Sequence, residues 1–250
     1  APGWAEEDNG LLHVRGVDDG VLFVEDGVPV YDRLDVAFGV PPSLAGVGTM
    51  RVTTGHTPPQ FGLKSGAVVE LYSPPVPARW AGSVEGGVGS REVAGTSGSA
   101  GGPAGGPLDV FTAVAAERSN RFLDPVHPDG FHNTGGVTGA TVRGRVGIGG
   151  SGHVVVRGQT GRSRFDVPHG DAQDAAGQDQ RQRVSQHSAS VSGQRLIGSS
   201  WWADGALYAR RVNATLSPSL ADTPVTAASS RRHDRAGVLG SLAVNPGAHH

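Results

Sequence analysis

The chain has 250 residues, a formal net charge of −2 and no cysteine, with 40 glycines, 17 prolines and 37% hydrophobic residues. Lacking cysteine, it excludes disulfides, thiolate metal sites and a cysteine nucleophile, and its 21 basic against 23 acidic side chains leave no basic excess for nucleic acid. Abundant glycine and proline favour turns and short strands over long helices.

In chain order, the first ten residues, APGWAEEDNG, have neither the basic start nor the apolar run of a signal peptide. No stretch approaches the roughly 18 consecutive apolar residues of a membrane helix, so a soluble chain with no membrane partner is expected, either secreted or cytoplasmic. Between residues 10 and 38 the runs LLHVRG, VLFVE and VPVYDRLDVAF are separated by VDDG and EDG. Asp-Gly pairs suit tight hairpin turns with positive φ, which predicts a three-stranded meander. TMRVTT (49–54) and GAVVELYS (66–73) predict two further strands, making 1–80 a β-meander region.

Residues 81–107 contain ten glycines and otherwise mostly small or polar side chains, which predicts a flexible linker or long loop. LDVFTAVAAERSNRFL (108–123) places Leu108, Phe111, Val114, Ala115 and Phe122 at helical spacing, predicting one short helix near 109–122. ATVRGRVGI (140–148) alternates as a strand and HVVVRG (153–158) follows as another. From about residue 169 the periodicity fades into Gln, Asp and Ser, with short apolar islands. The C-terminal third of the second β-rich region, 108–250, is therefore poorly defined, and GC-rich DNA read out of frame yields similar text. The expected fold is mainly β, an antiparallel sandwich or barrel-like architecture with long Gly-rich loops.

Two motifs could carry chemistry. Gly147-Ile148-Gly149-Gly150-Ser151-Gly152 spells G-x-G-x-x-G, and VGIGGSGHVVV (146–156) resembles the glycine-rich turn of the nucleotide domain in medium-chain alcohol dehydrogenases. The resemblance implies a nucleotide-dependent oxidoreductase and requires a helix over 153–162. The valines and glycines there favour instead a β-hairpin with GGSG at its corner. The second motif is DPVHPDGFHN, with Asp124, His127, Asp129 and His132 in the pattern D-x-x-H-x-D-x-x-H. Imidazole and carboxylate suit Zn or Fe(II). His127 and Asp129 have the H-x-D spacing found in the facial triad of Fe(II) oxygenases, with His169, His187 or His233 available as a third ligand.

Three functions follow: a metal-dependent oxygenase or hydrolase using this His/Asp centre, a non-catalytic binding module, or the nucleotide enzyme. In the binding module Trp201 and Trp202, with Asp204, would form a platform for a carbohydrate or other small molecule. The oligomeric state is not legible in the sequence.

Overall fold

A computed structural model describes residues 4–6, 12–14, 21–30, 44–55, 66–123, 132–222 and 228–244. Two short strands, β1 (Trp4–Glu6) and β2 (Leu12–Val14), pair antiparallel. A four-stranded sheet follows, built from β3 (Val21–Glu25), β4 (Val28–Pro29), β5 (Thr49–Thr54) and β6 (Ala67–Tyr72) in the order β4-β3-β6-β5. β3 and β6 run parallel at its centre and the other pairs are antiparallel. Both central strands read as nearly continuous apolar runs because both their faces are covered. Val21, Ala67, Val69 and Leu71 pack with Val14 on one face, and Leu22, Val24 and Val68 cluster on the other. The β3–β4 turn has positive φ at Asp26 (45°) and Gly27 (84°), as the Asp-Gly pair predicts.

The larger sheet comprises β7 (Ala81–Val88), β8 (Ala94–Gly105), β9 (Leu108–Ser119), β10 (Gly135–Gly147), β11 (Gly152–Asp166), β12 (Arg181–Ile197), β13 (Trp201–Ser217) and β14 (Ser229–Val244). Each strand pairs antiparallel with its chain neighbours, an up-and-down order from β7 to β14. The mainly β, barrel-like expectation holds. Among the described residues there is one short α-helix, α1 (Asp171–Ala175), far from the predicted position.

Four expectations are corrected. Residues 108–119 are strand, because β8 and β10 bond both edges of β9 and its side chains alternate: Phe111 and Ala113 are buried while Thr112 and Val114 are exposed. The Gly-rich 81–107 segment is no linker but the β7–β8 hairpin and the turn into β9, paired into the sheet edge. Its glycines serve close approach: a Cβ on Gly102 would lie 2.7 Å from Trp80 Cα. The meander over 10–38 is not formed as such, since β2 pairs with β1 while β3 pairs with β4 and β6, and residues 31–43 lie outside the described residues. The C-terminal third, expected to be poorly defined, holds the long strands β12, β13 and β14.

One face of the large sheet packs on the small sheet through polar contacts. Thr141 Oγ1 donates to Ala45 O at 2.9 Å, and Arg143 Nη2 donates to Pro74 O. Arg157, 8% exposed, places Nη1 2.9 Å from Asp26 Oδ2 and Nη2 3.1 Å from Glu25 Oε2. The first contact is a hydrogen bond; the second is an ion contact without hydrogen-bond alignment. Asp26 also accepts from Ser73 N and Ser73 Oγ, and Glu25 Oε1 accepts from Gln159 Nε2 at 3.3 Å. Burial pushes the Glu25 carboxyl above its ordinary range, with Arg157 and Gln159 opposing the rise.

Removing one member of a buried ion cluster leaves the others uncompensated, at about 3–5 kcal/mol. Arg157→Ala is therefore expected to lower unfolding stability by about that amount. Denaturant titration measures it, and limited proteolysis should release the N-terminal segment first.

Candidate functional site

The residues that touch the small sheet define which side chains of the large sheet point inward. Thr141, Arg143, Arg157 and Gln159 do so directly, and strand alternation carries the assignment along each strand. Cross-strand register then reads the sheet row by row. One inward row runs Tyr208, Ser190, Arg157, Arg143 and Phe111; the next runs Arg210, Ser188, Gln159, Thr141 and Ala113. On the far side of the first, Asp109 and Arg145 pair across strands, their charged atoms 3.7 Å apart.

The outward rows are the opposite. Val238, Leu207, Val191, Val156, Gly144 and Val110 form one, flanked by Ala236, Ala209, Ala189, Gly158, Val142 and Thr112. On the other flank lie Gly240, Gly205, Gly193, Val154, Val146 and Leu108. None of the three rows carries a charge. Their large members are bare, with Val238 76% and Leu207 57% exposed. The sheet is thus apolar on its open face and polar on its packed face, the reverse of a water-soluble β-domain.

The two ends of the sheet differ as well. At one end the strands are joined by the short connections 106–107, 148–151 and 198–200. At the other, residues 89–93 join β7 to β8, and longer stretches, 120–134, 167–180 and 218–228, join the later pairs. Outward arginines gather toward this long-connection end: Arg118, Arg164 and Arg183 share a row, with Arg162 and Arg232 in the row before. A cleft of about 680 Å³ opens near the same end, lined by Leu44, Ala45, Glu85, Ser97, Glu117 and Val137.

The long connections are packed together by polar and aromatic side chains. Asn133, fully buried, receives the Leu123 N–H on Oδ1 at 2.8 Å and donates back to Leu123 O. Phe122 stacks on Phe165, ring centroids 5.5 Å apart. His132 stacks on His169 at 4.1 Å. His169 is buried, which lowers its pKa, and the neighbouring His132 lowers it further while Asp174 opposes. His132 Nε2 lies 3.3 Å from Gln180 O and 3.7 Å from Asp179 Oδ1. Together His132, Asp166 and Asp179 bring three ligand atoms within 4.8 Å of one another, the one such group among the described residues. Buried Asp222 accepts from Ser219 N, Gln180 Nε2 and Asp179 N. Burial alone would raise its pKa, but these bonds outweigh it and hold the carboxyl below its ordinary range.

The sequence-predicted sites fare differently. Asp124, His127 and Asp129 lie outside the described residues. His132 is described, and its carboxylate neighbours are Asp166 and Asp179, residues that no local motif marks. Trp201 and Trp202 are successive on β13 and face opposite sides, both partly exposed, so they form no single platform. Asp204 accepts from Ser241 Oγ on β14. Residues 152–166 are strand, Gly149–Ser151 form a 3-10 turn, and Gly147 pairs with His153. GGSG is thus a hairpin corner, and the helix that a nucleotide site needs is absent.

No sequence-family profile matches the chain, and no characterised protein matches it in sequence. Solved structures do match in fold. The pyoverdine outer-membrane receptor FpvA of Pseudomonas aeruginosa, bound to pyoverdine, superposes with TM-score 0.65 at 14% identity, over 96% of this chain and 38% of that one. The FrpB iron transporter of Neisseria meningitidis gives TM-score 0.72 at 12% identity, covering 95% and 40%. The ferric-catecholate import receptor Fiu of E. coli gives 0.68 at 11%, covering 96% and 40%. The chain spans about two fifths of the length of these proteins. This likeness overturns the expected oxygenase, hydrolase and oxidoreductase readings, because the neighbours are outer-membrane receptors and transporters. It also removes support for a soluble chain with no membrane partner. Among the described residues no helix is long and apolar enough to cross a membrane, which says nothing of strands.

Since the folded state holds Asp222 below its ordinary pKa of 3.8, its contribution to stability is full above that value and is lost as pH falls through the lowered one. Asp222→Asn is expected to lower the unfolding temperature at neutral pH and to flatten the acid limb of the stability profile. Thermal unfolding from pH 2 to 7 measures both.

Proposed function

We propose that this chain is part of an outer-membrane β-barrel receptor that takes up a small metal-chelate ligand of the ferric-siderophore class. The observation that carries the reading is the inverted patterning of the large sheet. Charge-free rows of Val, Leu, Ala and Gly with a single Thr face outward, while Arg, Gln, Ser and Tyr face the small sheet. Transmembrane barrels alternate apolar-out and polar-in along every strand. Short turns at one end and long connections at the other match the periplasmic and extracellular ends of such barrels. The outward arginines toward the long-connection end fit the anionic headgroup layer, with their stems on the apolar surface.

In this reading the four-stranded sheet lies inside the wall, held by Arg157, and the cleft near Glu85 and Glu117 is entered from the long-connection side. Lipid tolerates no unpaired strand edge, so β7 and β14, the two edges of the sheet, must pair with each other or with further strands. The ligand class rests on the neighbours: FpvA is a pyoverdine receptor, Fiu a ferric-catecholate importer and FrpB an iron transporter.

Two experiments test the parts separately. An arginine on the lipid face near mid-depth costs about 2–4 kcal/mol. Val156→Arg is therefore expected to impair folding into phosphatidylcholine vesicles by about that much, while the inward Ser192→Arg leaves insertion intact; equal effects would overturn the membrane reading. For the ligand, tryptophan fluorescence is followed while ferric pyoverdine, a ferric catecholate or the metal-free chelators are added. Saturable quenching by a ferric complex supports the class, and an unchanged signal with all of them overturns it.

A further inference from the structure

We propose that His132, Asp166 and Asp179 form a binding site for a divalent transition-metal ion, which clips the connection before β10 to the connection between β11 and β12. The site is distinct from the inner cleft and does not depend on which ligand enters there.

The three donors come from separate parts of the chain. His132 lies three residues before β10, Asp166 is the last residue of β11, and Asp179 stands just before β12. Backbone bonds already hold these parts in place: Asp166 N donates to Thr134 O at 2.8 Å, and Asp179 N donates to the buried Asp222 carboxylate. Their ligand atoms all lie within 4.8 Å of one another, and all three side chains are partly buried yet reachable from solvent.

The decisive detail is an oxygen without a hydrogen bond. Asp179 Oδ1 is buried and accepts no hydrogen bond, although His132 Nε2 stands 3.7 Å away. That gap is too long for a hydrogen bond. It fits two ligands of one ion, since donors about 2.1 Å from a metal stand roughly 3.4–3.6 Å apart at tetrahedral to trigonal angles. The other oxygen, Asp179 Oδ2, is 2.9 Å from Arg181 Nη2, and Asp166 Oδ1 is 3.4 Å from Arg181 Nε. Arg181 thus orients both carboxylates from one side and leaves Asp179 Oδ1 turned toward His132. Such backing of ligating carboxylates is usual around metal sites.

His169 adds a second constraint. Its side chain is 1% exposed, and its ring stacks on His132 at 4.1 Å, fixing the plane of that imidazole. Its Nδ1 lies 3.4 Å from Asp174 Oδ1 without hydrogen-bond alignment. One imidazole nitrogen with two carboxylate oxygens suits Zn, Mn, Co or Fe(II) better than Mg or Ca, which favour all-oxygen shells. Two carboxylates and Arg181 leave a net charge of −1, and a divalent ion makes the cluster +1. Without an ion His132 Nε2 donates to Gln180 O at 3.3 Å; an ion displaces that hydrogen, the ring keeps its proton on Nδ1, and a water or the Gln180 carbonyl completes a four-coordinate shell.

The test uses the full folded chain, treated with EDTA and then titrated with ZnCl₂ or MnCl₂. Expected is one Zn²⁺ bound per chain by calorimetry and a rise in unfolding temperature that EDTA reverses. Asp179→Asn and His132→Gln should each weaken binding at least about tenfold, while His187→Gln, six residues along β12 from Arg181, should not. In the unaltered protein, Mn²⁺ should broaden the NMR signals of His132 and His169 before those of His187 and His233. This readout needs no variant to fold. Absence of Zn²⁺ binding, binding unchanged in both ligand variants, or broadening that spares His132 would each overturn the site.

Discussion

A β-strand sends its side chains alternately to two faces, and in the large sheet the two faces are made for different surroundings. Everything else follows from this constraint. Residues on the outward rows stay small or aliphatic over three successive rows, and none of them is charged. Residues on the inward rows carry the Arg, Gln and Ser groups that find partners on the small sheet. The small sheet is arranged the other way round: it buries apolar side chains on both faces and presents Glu25 at the end of β3 and Asp26 in the turn after it, where Arg157 meets them.

The legible parts of the sequence are those that obey soluble-protein rules. β5 and β6 appear as short β-branched runs and coincide closely with the expected 49–54 and 66–73. The Asp26-Gly27 turn and the GGSG corner are also readable, since glycine and aspartate at positive φ leave a local signature. The strand β9 reads as a helix because LDVFTAVAAERS satisfies two periods at once. Phe111 and Ala115 are four apart as in a helix, yet both also fall on the inward face of a strand. Isolated propensity does not decide between them; pairing with β8 and β10 does.

The Gly-rich 81–107 segment and the polar C-terminal third mislead for a related reason. In a strand whose inward residues are polar and whose outward residues are Gly, Ala and Val, no hydrophobic run forms, because every apolar side chain is flanked by polar ones. RQRVSQHSASVSGQRLI looks like solvated text until Gln182, Gln186 and Ser190 are seen to share one face and Ala189, Val191 and Gly193 the other. Of the expected ligands, His132 stands out because histidine is conspicuous beside prolines. Asp166 and Asp179 do not, because their approach is made by strand register and not by spacing along the chain.

The contact between Arg157 and Asp26 also bears on the order in which the molecule can assemble. These residues are 131 positions apart, whereas every pairing in the large sheet joins strands adjacent in the chain. Hairpins of the large sheet can therefore form one by one, each strand docking on the one before it. The Glu25 and Asp26 carboxylates, by contrast, meet Arg157 only once β11 is in place. Docking of the small sheet is thereby tied to a strand in the middle of the large one, and is complete only after the hairpins on either side of it have formed.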